Sequence, residues 1–207
     1  PAETARAGDY LLAVSDIYVQ KNLHTLVRAL AAVLLRFPKI VLKIAGRPID
    51  AEYMAELEAV IASEGLGDAV EFLGMCGTDQ LLGLYQNCKL FVFPSTVETF
   101  GNPLVEAMAC GAPIASSNTA AMPEILGNAA VFFDPLDAND MAERILALLL
   151  DDAARERLAR NSLNRAQRYS WQLTAIQTAD VIKSVVPERY RQIGKAGSLD
   201  PSAEASS

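Results

Sequence analysis

The sequence predicts an α/β fold built on a doubly wound, parallel, Rossmann-like sheet. Three observations predict it. Short runs of Val, Ile, Leu and Phe, apolar on both faces, recur along the chain. Amphipathic stretches of helical length separate them. The order is strand, helix, strand almost throughout, and right-handed crossovers turn that order into a parallel sheet covered on both sides.

The elements follow in order. Tyr10–Val14 (YLLAV) offers water no polar position and reads as a buried strand. The helix Asn22–Arg36 comes next and is stopped by Pro38. Ile40–Ala45 is the second strand, and Ala51–Glu64 is a helix closed by Gly65 and Gly67. Val70–Phe72, the helix Asp79–Gln86 and the apolar strand Leu90–Phe93 follow. A helix Pro103–Ala109 is ended by Gly111 and Pro113, and strands Ile114–Ser116 and Ala130–Phe132 flank a short helix at Pro123-Glu124. Three helices remain: Asn139–Leu150, Asp152–Arg168 and one from Trp171 to about Val185.

Composition narrows the function classes. The 207 residues are 51% hydrophobic and 21% charged, values of a folding chain and not of a disordered one. A net charge of -7 without any Lys/Arg run argues against nucleic acid or an anionic membrane as partner. Cys76, Cys88 and Cys110 are scattered and His24 is the single histidine, so a reducing, cytoplasmic setting without zinc is expected. Apolar runs such as ILALLL are far shorter than the ~20 residues of a membrane span, and no signal peptide is expected.

Ligands of open parallel sheets bind beyond the carboxyl ends of the strands, which directs attention to Pro94–Gly111, PSTVETFGNPLVEAMACG. Asn102 reads as an N-cap and Pro103 as the first helical residue, so the amides of Leu104 and Val105 should be open to an anion. Glu98 precedes this helix and Glu106 follows one turn inside it; both would face one cleft from different depths. Taken alone, Glu106 reads more simply as complementing the helix dipole and Glu98 as a solvated loop acid.

The segment as a whole reverses that balance. ETFGNPLVEAMACGAPIASS resembles the signature of glycosyltransferase group 1 (family four), retaining transferases of the two-domain GT-B type. The resemblance extends through LLAVSDIYVQKNLHTLVRAL, VLKIAG, VEFLGM, LYQNCKLFVFPS and MPEILGNAAVFFDP to YSW, nearly all of Tyr10–Val185. It implies that the chain is the donor-binding half of a GT-B fold. Residues 1–9 would then be a linker from a missing N-terminal acceptor domain, residues 10–186 the nucleotide-sugar-binding domain, and residues 187–207, ending in the polar GKAGSLDPSAEASS, a flexible tail.

By that resemblance Glu98 contacts the donor sugar, Phe100-Gly101-Asn102 hold its hydroxyls through backbone amides, and Glu106 holds the ribose. Lys21 matches a lysine that binds the donor diphosphate of a UDP- or GDP-type sugar. Gly74 matches a turn facing the nucleobase, although a glycine needed only for a tight turn reads equally well there. The helix Trp171–Val185 would cross to the other half, leaving Leu173, Ile176, Val181 and Val185 exposed here.

The chain departs from the family's pattern at Ser15-Asp16-Ile17, where many relatives carry Gly-Arg-Leu. An acid replaces a diphosphate-binding arginine. Either Asp16 turns away or pairs with a cation, or the phosphate site is built differently; Lys21 and Arg47 are the cations in reach. His24 is expected to cap the first helix or face solvent, and Ser116-Ser117-Asn118-Thr119 to cap a helix. No D-x-D pair occurs, so no obligatory metal and no cofactor beyond the donor is expected. The function implied is hexosyl transfer from a nucleoside-diphosphate sugar with retention. The alternatives are another GT-B enzyme, an epimerase or a phosphorylase, and a non-catalytic nucleotide-binding or interaction module.

Overall fold

The computed structural model describes residues 8–186; most of the expected linker and the whole expected tail lie outside the described residues. Six strands form one parallel sheet: β1 (Tyr10–Val14), β2 (Val41–Ala45), β3 (Val70–Gly74), β4 (Leu90–Phe93), β5 (Ile114–Ser117) and β6 (Ala130–Phe133). Their order is β3-β2-β1-β4-β5-β6. The chain therefore winds outward from β1 in one direction and, after returning to β4, outward in the other.

The central strands are apolar on both faces because helices cover both. All residues of β1 and β4 are buried. Each large side chain removed from water in this way contributes roughly 1.5–3 kcal/mol. The covering helices are α1 (Leu23–Leu34), α2 (Ala51–Ser63), α3 (Thr78–Asn87), α4 (Asn102–Ala109), α5 (Met122–Leu126), α6 (Ala138–Leu150) and α7 (Asp152–Ala166). Leu23, Leu26, Leu30 and Val33 of α1 recur at helical spacing and join Met141 and Ile145 of α6 in the core. Three aspartates set helix starts: Asp50 accepts from the Tyr53 amide, Asp137 from Asn139 and Asp140, and Asp151 from Ala154.

The chain divides after Arg168 into two units. In the second, α8 (Trp171–Val185) is capped by Ser170 and has no buried residue. Leu173, Ile176, Val181 and Val185 are open to solvent, the exposure expected of them. Among the described residues no helix is long and apolar enough to cross a membrane.

Candidate functional site

The crevice of such a sheet lies where neighbouring strands send their crossovers to opposite sides. Here that point is between β1 and β4. Asn22 ties the loops beyond them together. Its backbone is left-handed, φ 53°, a conformation asparagine tolerates better than most residues with a Cβ. Its buried Nδ2 donates to the Pro94 carbonyl at 3.0 Å and the Pro135 carbonyl at 2.7 Å, while Oδ1 accepts from the Thr25 hydroxyl at 2.6 Å. The Thr96 amide adds a bond to the Gln20 carbonyl at 2.9 Å. The sequence marks Asn22 only as a helix start; nothing in it shows this clamp between three strand ends.

The clamp sets Lys21, its neighbour, against Glu98. The two form an ion pair with side chains only 12% and 14% exposed. The Lys21 ammonium also lies 5.1 Å from the Tyr18 ring centroid and 5.9 Å from that of Phe93. The expected phosphate lysine and the expected sugar glutamate are thus each other's partner. Each depends on the other, because an unpaired charge in so dry a place costs several kcal/mol.

The start of α4 differs from expectation by one residue. Gly101, not Asn102, is the N-cap, with φ 79°; Asn102 is the first helical residue and Pro103 the second. The glycine takes the left-handed turn that asparagine would take less easily. The first turn is also tight: the Leu104 amide donates back to the Gly101 carbonyl at 2.9 Å. The expectation of an open amide at Leu104 is therefore corrected, and Leu104 is a fully buried core residue. Phe100 is partly exposed, Val105 half-buried and Asn102 exposed at the mouth of the loop.

Glu106, on the exposed side of α4, accepts a hydrogen bond at 3.0 Å from the hydroxyl of Tyr85 on α3. Burial and the neighbouring Glu106 carboxylate hold the Tyr85 phenol protonated far above its usual range. Burial, with Glu106 again nearby, also pushes up the Cys110 thiol. Tyr85 is not singled out by the sequence, and only the meeting of α3 with α4 shows what its hydroxyl touches.

Asp16 does not stand alone. Its Oδ1 accepts from the Arg47 amide at 3.0 Å and Nε at 3.3 Å, and its Oδ2 from Nη2 at 2.9 Å. These hydrogen bonds hold the carboxyl below its ordinary range. The pair sits on a continuation of the β1–β2 ladder, in which the Ser15 amide reaches Ala45 and the Ile17 amide reaches Arg47. Gly46 permits this: a Cβ there would lie 1.8 Å from the Ser15 carbonyl oxygen. Gly74 ends β3 with φ 64°, a turn that accounts for the glycine, and its carbonyl accepts the Gly46 amide at 2.8 Å.

Two smaller expectations are corrected. His24 neither caps α1 nor faces solvent; it is half-buried with Nδ1 3.1 Å from the Tyr53 hydroxyl, which burial of the α1–α2 contact imposes. Ser116 and Ser117 are buried at the end of β5, with Ser117 bonded to the Phe93 carbonyl at 3.3 Å, and Thr119 bonds the Thr96 carbonyl at 3.1 Å. The Ser117 and Thr119 hydroxyls thus brace β4 and its loop, and no side chain caps α5.

Large apolar side chains are exposed in most of the loops at this end of the sheet: Val19 after β1, Ile49 after β2, Met75 after β3, Val97 and Phe100 after β4, Leu136 after β6. A groove of about 470 Å³ lies instead at the amino ends of β2 and β3, lined by Pro38, Ile40, Leu66 and Asp68 among others. It lies at the end of the sheet opposite the crevice.

Fold and site together define a Rossmann-like α/β domain of the GT-B kind. Residues 4–165 match the family "Glycosyl transferases group 1". The chain belongs to that family. It is 32% identical over 172 residues to the serotype-specific mannosyltransferase WbdA of Escherichia coli, covering 81% of this chain and 21% of the relative. Sucrose-phosphate synthase of Thermosynechococcus elongatus superposes with a TM-score of 0.75 and 29% identity over 90% of this chain. Alr3699/HepE of Anabaena, solved with UDP and glucose, superposes with a TM-score of 0.77 and 26% identity over 85% of this chain. The chain spans just under half of those two structures, 46% and 48%.

Proposed function

We propose that this chain is the donor-binding half of a retaining glycosyltransferase that moves a hexose from a nucleoside-diphosphate sugar to an acceptor held by a second domain. The observation that carries the proposal is the Lys21–Glu98 pair at the crevice between β1 and β4, beside the start of α4. On this reading Lys21 leaves Glu98 for the diphosphate and stabilises its charge as the leaving group departs. Glu98 is then free to accept from sugar hydroxyls, with the Gly101 and Asn102 amides beside it and Phe100 against the sugar. The positive end of α4, with Val105 in its first turn, favours the same anion. Glu106 takes the ribose diol, and Gly74 lies by the nucleobase.

The UDP complex of the Anabaena neighbour supports a nucleoside diphosphate as ligand. The apolar rim supports a second domain closing over the crevice, since scattered loops of a free domain have little reason to expose six large apolar side chains together. A non-catalytic module would be favoured by an unpaired acid at the phosphates. Asp16, with both oxygens held by Arg47, is not one. No metal is assigned a role. A calorimetric screen of UDP, GDP, ADP and their sugars against the chain tests the proposal. One saturable nucleotide is expected, and silence from all of them would remove it.

A further inference from the structure

We propose that Tyr85 is a positioning residue for Glu106: its buried hydroxyl fixes one carboxylate oxygen so that the other is presented to the ribose diol of the donor. The inference rests on the ribose role of Glu106 proposed above. Three observations lead to it. Tyr85 is 2% exposed, and its ring packs edge-on against Phe91 with centroids 5.4 Å apart. A phenylalanine would fill that space without carrying a hydroxyl into the core, where an unmatched polar group is costly. The bond that satisfies this hydroxyl is the one to Glu106 Oε2.

The second observation is the asymmetry of the pair. Tyr85 is buried while Glu106 is exposed, so the bond reaches from the core to an otherwise solvated side chain. A free glutamate spreads over many rotamers, and a ligand must freeze them on binding. A carboxylate already fixed by a rigid donor spares the ligand that loss, which is the general advantage of a preorganised site. Among the described residues Glu106 Oε1 has no side-chain or backbone donor, leaving it available to a diol.

The third is the state of the groups around it. The phenol stays protonated, so toward the Glu106 carboxyl it acts as a donor. One helical turn on, the Cys110 thiol is held neutral by burial, so no second negative charge competes there. Tyr85 touches no proposed reacting atom; it acts through Glu106.

The test is a double-mutant cycle read by calorimetric titration with UDP and GDP and with their 2′,3′-dideoxy forms, using wild type, Tyr85→Phe, Glu106→Ala and the double variant. Tyr85→Phe is expected to weaken the ribonucleotide roughly three- to tenfold, the range of freezing one side chain that is no longer preorganised. It should leave the dideoxy form unchanged, and in the Glu106→Ala background it should add nothing. Equal ribonucleotide affinity of Tyr85→Phe and wild type overturns the inference, as does the same loss for ribo and dideoxy forms, which would mean disturbed packing. If Glu106→Ala binds ribonucleotide as tightly as wild type, the ribose assignment itself fails and this inference with it. A drop at Glu106→Ala with none at Tyr85→Phe overturns the positioning role alone.

Discussion

Asp16 and Arg47 behave as one unit, with amide and guanidinium N–H groups of the arginine taking up both carboxylate oxygens. With Arg47 60% exposed the pair adds little stability; its effect is to neutralise an acid near the crevice. Asp16→Arg adds one cation and releases another, so nucleoside-diphosphate affinity should change by less than about threefold or increase. Titration at two salt concentrations checks this, and a tenfold loss at both would show that Asp16 has a positive role. His24 gives a second prediction. Burial, with Arg28 beside it, holds the imidazole below its ordinary 6.5. The unfolded chain then takes up the proton first, so stability falls as pH drops below about 6.5 and is recovered above it. Urea unfolding at pH 5.5 and 7.5 should show this fall in wild type and a smaller one in His24→Gln; equal slopes would contradict it. The sequence singled out Glu98 and Glu106 through a motif of fixed order and Lys21 through a separate segment, and the structure brings Lys21 to Glu98. Asn22 and Tyr85 were not legible: an asparagine at a helix start and an aromatic in a helix each have a plain local explanation, and the carbonyls that Asn22 Nδ2 clamps lie 72 and 113 residues away and the partner of Tyr85 21.

Elements were read more reliably than caps. Runs such as LFVF can only be strands buried on both faces once helices flank them, and all six strands lie where the apolar runs placed them. The start of α4 shifted because Asn102-Pro103 matches a cap signal one residue late, and Gly101 offered the left-handed turn more cheaply. That shift matters chemically, since it commits the Leu104 amide to the Gly101 carbonyl. The other glycine that organises the site is Gly46, where no Cβ fits against the Ser15 backbone. Gly46→Ala must therefore part the ends of β1 and β2 and should cost about 2 kcal/mol or more, seen as a lower urea midpoint. It should also disturb the Asp16–Arg47 pair carried on the same ladder. An unchanged midpoint would mean that this edge is far softer than its geometry indicates.

For the whole molecule, strand order was not legible in the sequence, because the alternation of strands and helices fixes a parallel sheet but not which strands adjoin. The order places the crevice between β1 and β4, and the residues singled out from the sequence, Lys21 and Glu98, meet there. Large apolar side chains rim this same end of the sheet, in the loops after β1, β2, β3, β4 and β6. The claim at the centre is that this crevice holds a nucleoside diphosphate with its ribose on Glu106. Calorimetric titration of the nucleoside diphosphate into wild type and Glu106→Ala tests it most directly. Saturable one-to-one binding, weakened tenfold or more by the substitution, is the result expected for the loss of a charged hydrogen bond; no binding, or equal affinity in the two proteins, would contradict the account.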